Sequence, residues 1–128
     1  MSGGSTYHFL QNLQRRRFLP VLQKFVASGG VLIGVSAGAL LMTEHIEASL
    51  AYGDPFIEGL DTQALNLVDW EFFPHFNSMI TEQQIIDYSV RSEKRILSCG
   101  DGEGIIVTGQ GTRYVGNVRE YYRGTRQF

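Results

Sequence analysis

Gly34-Val35-Ser36-Ala37-Gly38 sets one serine among small residues, after the apolar run Val31-Leu32-Ile33 and before Ala39-Leu40-Leu41-Met42. A serine hydroxyl is a weak nucleophile until a base takes its proton and donors receive the oxyanion its attack creates. A serine on a sharp strand-to-helix turn meets both needs. The turn exposes Oγ, and the first N–H groups of the helix face the developing negative charge. Such a turn carries strained backbone, so its neighbours must lack bulky side chains. The G-x-S-x-G spacing satisfies that demand. The bland alternative for the same five residues is a glycine-rich helix start packed closely on a sheet.

Three histidines can supply the base. His8 falls on the first helical stretch, between polar and apolar neighbours, and reads as structural or exposed. His45 lies about two and a half helical turns after Ser36, which points it away from the elbow. His75 follows Pro74 at the end of the apolar run Trp70 to Phe73. A strand there would deliver it to the carboxyl edge of an α/β sheet, where such folds bind ligands and where the elbow also points. An acidic side chain must then orient the imidazole. Glu103 sits in a glycine-flanked turn just before a strand; Asp54, Asp69 and Asp101 are rivals, and composition does not choose among them. Cys99 stands before a turn with no elbow and reads as a small buried residue.

Positioning these groups calls for alternating strands and helices. Ser5 or Thr6 can cap a helix through Phe9, Leu10 and Leu13, and Pro20 suits the first turn of a second piece, Val21 to Ala27, stopped by Ser28-Gly29-Gly30. Val31 to Val35 reads as a strand buried on both faces, as in a parallel sheet. From Ile46 to Leu67 the pattern is weak, with Gly53, Asp54, Pro55 and Gly59 marking loops. Val68 to Phe73 predicts a strand ending at Pro74. Thr81-Glu82-Gln83-Gln84 matches a capping box, followed at helical spacing by Ile85, Ile86, Val90 and Ile96. Asp101-Gly102-Glu103-Gly104 predicts a turn into strand Ile105 to Val107. Gln110-Gly111 turns that strand into Thr112 to Val115, and Val118 to Tyr122 is the last strand. The class is α/β.

The 128 residues suit a single domain, 1–128, and 43% hydrophobic with 19% charged residues is the profile of a soluble globular chain. A net charge of -2 offers no electrostatic case for nucleic acid or an anionic membrane; Arg15-Arg16-Arg17 reads as a solvated helix end. One cysteine excludes an internal disulfide framework and a multi-cysteine zinc site, and fits a reducing compartment. No stretch approaches the roughly 20 apolar residues of a membrane span. The N-terminus lacks the regions of a signal peptide, so a cytoplasmic location is expected. No H-E-x-x-H spacing occurs, and neither metal nor cofactor is expected.

With these residues in view, the chain resembles the peptidase E and cyanophycinase group of serine peptidases. Gly3-Gly4-Ser5-Thr6-Tyr7 is similar to that family's Gly-Gly-Asn-Thr-Phe segment. Gly34-Val35-Ser36-Ala37-Gly38-Ala39 matches its elbow, Leu65-Asn66-Leu67-Val68 with Pro74-His75-Phe76 resembles its histidine block, and Gly102-Glu103-Gly104 its later Glu-Gly turn. The resemblance implies Ser36 as nucleophile, His75 as general base and Glu103 as orienter, with oxyanion donors at the N–H of Ala37 and near Gly4. It also implies the C-terminal portion of a flavodoxin-like three-layer sandwich, related to class I glutamine amidotransferases, acting on small peptides.

Family members carry several strands and helices before the Gly-Gly block, so the Val31 to Val35 strand is expected to need covering by a second copy or a separate N-terminal fragment. The stretch Asn77-Ser78-Met79-Ile80-Thr81-Glu82 lacks the arginine of the peptidase E segment Gly-Glu-Thr-Arg, so aspartyl specificity is not carried over. Ser5 stands where the family has asparagine. An α/β-hydrolase esterase shares the elbow pattern, but there the histidine comes last. The remaining alternative is a truncated, inactive relative that serves as a binding or assembly module.

Overall fold

The computed structural model describes Met1 and residues 4–128. Gly3, the first residue of the Gly-Gly block, lies outside the described residues. By its internal contacts the chain forms two compact units, Met1–Glu71 and Phe72–Phe128, where the sequence reads as one domain. Its class is mixed α/β.

The first unit opens with α1, Thr6–Arg15, and α2, Leu19–Ala27. Ser5 occupies the cap position of α1 but makes no capping bond; its Oγ lies 3.0 Å from Nδ1 of exposed His8. Pro20 sits in the first turn of α2, and Ser28 ends that helix with Gly29 following at φ +96. The core gathers Tyr7 and Leu10, one turn apart on α1, against Leu41, Ile46 and Ala64. After the elbow comes only a short helix, α3, Ala37–Leu40. Met42 and Thr43 donate to carbonyls three residues back, and Thr43 Oγ1 also donates to Leu40, closing the turn. His45 therefore lies beyond the helix rather than on it, bridged to Gln63. A 3₁₀ helix, Glu47–Tyr52, follows and ends at Gly53.

The segment Val31 to Val35 corrects its sequence reading. It belongs to neither described sheet, and Val31, Ile33 and Val35 are 79%, 70% and 58% exposed. A strand buried on both faces needs neighbours at both edges and layers above and below. Here the described backbone partner is Met1, which donates to Ile33 O and accepts from Val35 N.

A four-stranded sheet, all but Glu71 of it within the second unit, has the order β1-β2-β5-β6, with β1 Glu71–Phe73, β2 Ile96–Ser98, β5 Arg119–Tyr122 and β6 Thr125–Arg126. β3, Gly104–Thr108, and β4, Gly111–Val115, form a separate antiparallel hairpin. β5 pairs antiparallel with both neighbours whose register is set: Ile96 faces Tyr121, and Tyr121 faces Arg126. Tyr122 is thus not the end of the strands. Arg123 and Gly124, both at positive φ, turn β5 back into β6. The helix α4, Glu82–Ser89, carries the expected capping box: Thr81 accepts from Gln84 N and Gln84 reaches back to Thr81 N. It ends at Ser89 with Val90 as its C-cap, donating to Ile86 O, whereas Ile96 belongs to β2, so the helical spacing of Ile96 was coincidental. Phe73 meets Tyr88 edge-on at 5.1 Å, and Ser89 Oγ accepts from Gly124 N, fastening α4 to the sheet.

The Thr81→Ala variant should lose about 1 kcal/mol of stability in urea denaturation, since Gln84 N loses its acceptor, while Thr81→Ser retains most of it.

Candidate active site

Ser36 caps α3 with φ 56 and ψ -117, a backbone conformation that an L-residue adopts only under constraint. Its neighbours explain how it is held. A Cβ on Gly34 would lie 2.5 Å from the carbonyl oxygen of Gly38 and 2.8 Å from Cα of Ala39. A Cβ on Gly38 would run into the carbonyl of Met1. The two glycines let the chain fold back on itself with no side chain between. Gly38 N donates to Val35 O and Ala39 N to Ser36 O, both at 3.0 Å, completing the reversal. Ala37, the first residue of α3, is buried at the helix start, where its amide belongs to the positive end of the turn. Gly4 stands at φ +122, before α1.

His75 stands in the second unit at φ 60, directly after buried Phe73 and Pro74. Its carbonyl oxygen accepts from Ser78 N and Met79 N at 3.1 and 2.9 Å, so the chain wraps tightly around it. Phe76 N donates to Cys99 O and Cys99 N to Phe73 O, which fixes the turn against the end of β2. The ring's Nδ1 lies 2.6 Å from Asp101 Oδ1. An ionised carboxylate only accepts, so the proton of this bond belongs on Nδ1, and in the neutral ring Nε2 keeps its lone pair. Ser78 Oγ lies 3.2 Å from both Asp101 Oδ2 and His75 O and shares its one proton between them. Hydrogen bonds from His75 and then Ser78 hold the Asp101 carboxyl below the usual range.

Glu103 is engaged elsewhere. Its Oε2 accepts from Gly100 N at 2.6 Å and from Arg119 Nη1 at 3.1 Å, and its Oε1 accepts from Asn117 N at 3.1 Å. These bonds, Gly100 first, lower its pKa against partial desolvation. The structure thus brings His75 together with Asp101, one of the open acidic candidates, and commits Glu103 to the backbone of its own turn. Cys99 is buried, which raises its thiol to about 11, a poor nucleophile. Among the described residues no three His, Cys, Asp or Glu side chains cluster as metal ligands, and no helix is long and apolar enough to cross a membrane.

The family model described as peptidase family S51 matches residues 1–115, which include the elbow, the histidine turn and both acidic residues. The chain belongs to peptidase family S51. An uncharacterized peptidase of Listeria monocytogenes is 28% identical over 124 residues, covering 86% of this chain and 56% of the relative. Another, from Pasteurella multocida, is 34% identical over 93 residues, covering 68% and 44%. Peptidase E of Nostoc sp. is 26% identical over 130 residues, covering 94% and 53%. A crystal structure of a candidate peptidase E from Listeria monocytogenes superposes with a TM-score of 0.72 at 28% identity, covering 88% of this chain and 56% of that one. The S51 chain described here spans about half the length of these relatives.

Sequence reasoning gave no role to Ser78, Asn117 or Arg119. Ser78 is three residues from His75, and a hydroxyl so close in an αL turn is a usable local signal. Arg119 lies 16 residues from Glu103, and its placement depends on the pairing of β5 with β2.

Two outcomes are expected. Ser36→Gly should be about 1 kcal/mol more stable than Ser36→Ala in chemical denaturation, because relief of a strain of about 1–3 kcal/mol exceeds the entropy cost of glycine. In ¹³C NMR titration Asp101 should titrate below the ordinary aspartate range, and rise toward it in His75→Ala and less so in Ser78→Ala. The folded value lies below the unfolded one. This stabilisation is therefore complete above the ordinary pKa and lost as pH falls through the lowered value. His75→Ala should accordingly show a shallower loss of stability in acid.

Proposed function

We propose that this chain carries the catalytic groups of a serine peptidase acting on small peptides by acyl transfer, within a flavodoxin-like sandwich. The observation that supports it most is the left-handed backbone of Ser36, held between Gly34 and Gly38. Strain of this kind persists where the surrounding structure enforces it, and a nucleophile elbow is a known use. In the proposed reaction Ser36 Oγ attacks the peptide carbonyl carbon while His75 Nε2 takes its proton. The oxyanion rests on the N–H of Ala37 and an amide near Gly4. His75 then returns the proton to the departing amine, and water hydrolyses the acyl-enzyme by the reverse sequence. The 2.6 Å contact with Nδ1 favours Asp101 as the residue that orients the ring, in place of the Glu103 that family resemblance implies. A reducing, cytoplasmic setting fits a lone buried Cys99.

Exposed Val31, Ile33 and Val35 favour a second reading, in which the chain is an assembly module whose apolar segment is covered by a second copy or a separate N-terminal fragment. One experiment separates the two. Native mass spectrometry after incubation with a fluorophosphonate should show one adduct, located on Ser36 and absent in Ser36→Ala. Labelling should fall by about 10³-fold or more in His75→Ala and in Asp101→Asn, as expected for removal of a base or its orienter. A folded chain that acquires no adduct, in whatever oligomer the spectrum records, would sink the hydrolase reading and leave the module.

A further inference from the structure

Arg16, in the middle of the basic run that ends α1, belongs to a cleft as well as to the surface. Ser5, Phe9, Asn12, Leu13 and Arg16 recur at steps of four, three, one and three, which sets them on one flank of the helix. With Gly4 they line an open cleft of about 450 Å³, within the size range of small-ligand sites. The opposite flank, with Tyr7 and Leu10, is spent on the core. Phe9 and Leu13 are partly buried against that core and give the cleft an apolar floor, while Asn12 and Arg16 are exposed. The lining thus offers apolar surface, an amide that both donates and accepts, and one cation.

Charge decides what such a cleft would hold. Among the described residues no acidic side chain lines it, and Arg15, Arg16 and Arg17 pair with no carboxylate. The other end of α1 is already supplied, since Asp54 Oδ2 accepts from Thr6 N at 3.4 Å. A ligand carboxylate therefore meets its unneutralised cation at Arg16, whose flat fork matches two oxygens. Arg15 and Arg17 add to the positive field without lining the cleft.

Length narrows the ligand further. Ser5 and Arg16 are eleven residues apart, about 16 Å along the helix, and the arginine side chain leans back toward the N-terminus. An extended peptide covers that span with about four residues. Space is open at Gly4, where a Cβ would meet nothing within 4 Å, so a chain can enter there. The floor of Phe9 and Leu13 suits apolar side chains, and the Asn12 amide suits a peptide bond.

We propose that the cleft along α1 binds a short apolar peptide, about four residues long, and that Arg16 selects its free C-terminal carboxylate. Its use as a substrate subsite rests on the hydrolase reading, in which an amide near Gly4 receives the oxyanion; binding of the peptide does not. The probes are acetyl-Ala-Leu-Ala-Leu as the free acid and as the C-terminal amide. Each is titrated at low salt into the ¹⁵N-labelled Ser36→Ala chain, so that neither is consumed. The acid should shift the amide resonances of Phe9, Asn12 and Leu13 and bind about fivefold more tightly than the amide, the scale of an exposed ion pair. That preference should shrink as salt is raised. It should disappear when Arg16→Gln is added and survive Arg15→Gln, whose side chain does not line the cleft. Arg16→Lys should keep part of it, having the charge without the fork.

Equal affinity for acid and amide would overturn the proposal. So would a preference that persists in Arg16→Gln, shifts that map away from α1, or no saturable binding of either probe. The control acetyl-Ala-Leu-Asp-Leu-amide, if it matched the free acid, would also overturn it, because the site would then read a side chain and not the chain end. If the acid binds as described while a fluorophosphonate never labels Ser36 in the unmodified chain, the cleft stands as a peptide site and the hydrolase reading fails.

Discussion

The backbone of Ser36, at φ 56 and ψ -117, is held by its surroundings, and the turn into α3 depends on that constraint. Gly34 and Gly38 set the constraint. The backbone of residues 34–39 doubles back so closely that a methyl group on Gly34 would overlap the carbonyl of Gly38. Without that approach the chain could not pass from Val35 into α3 through one residue. The brevity of α3 follows from the same crowding. It opens with small residues that allow close packing and closes after one turn, where Thr43 takes up its terminal carbonyl.

In the second unit, two carboxylates two residues apart have been given different work by the bonds around them. Asp101 is exposed and turned to a histidine and a serine, so its charge faces the imidazole. Glu103 is largely enclosed and accepts from two backbone amides and a guanidinium. Satisfying three donors makes Glu103 a strong local tie. The turn at His75 is equally committed, with its carbonyl accepting from the residues that follow and its neighbour Phe76 fixed to Cys99.

Local patterns were legible where the chemistry is local. The capping box at Thr81 and Gln84, Pro20 at the start of α2, and the β3–β4 hairpin each depend on residues within a few positions of one another. Elements whose state depends on distant neighbours were not. Val31 to Val35 has the composition of a buried strand, yet burial is a property of what covers a segment, and these valines and isoleucine stand exposed. Ile96 continued the helical spacing of α4 by coincidence, because pairing opposite Tyr121 outweighs periodicity once the chain is folded.

By itself the sequence singled out Ser36 between its glycines, the histidine that follows Pro74, and a short list of acidic residues, because residue type and spacing suffice to mark each as a candidate. It could not rank those acids. Asp101 and Glu103 share one glycine-rich turn, and which of them meets His75 depends on a loop 26 residues away being brought beside the end of β2. Tertiary structure decided that, since Arg119 arrives only through strand pairing and draws Glu103 inward, leaving Asp101 at the surface with the ring.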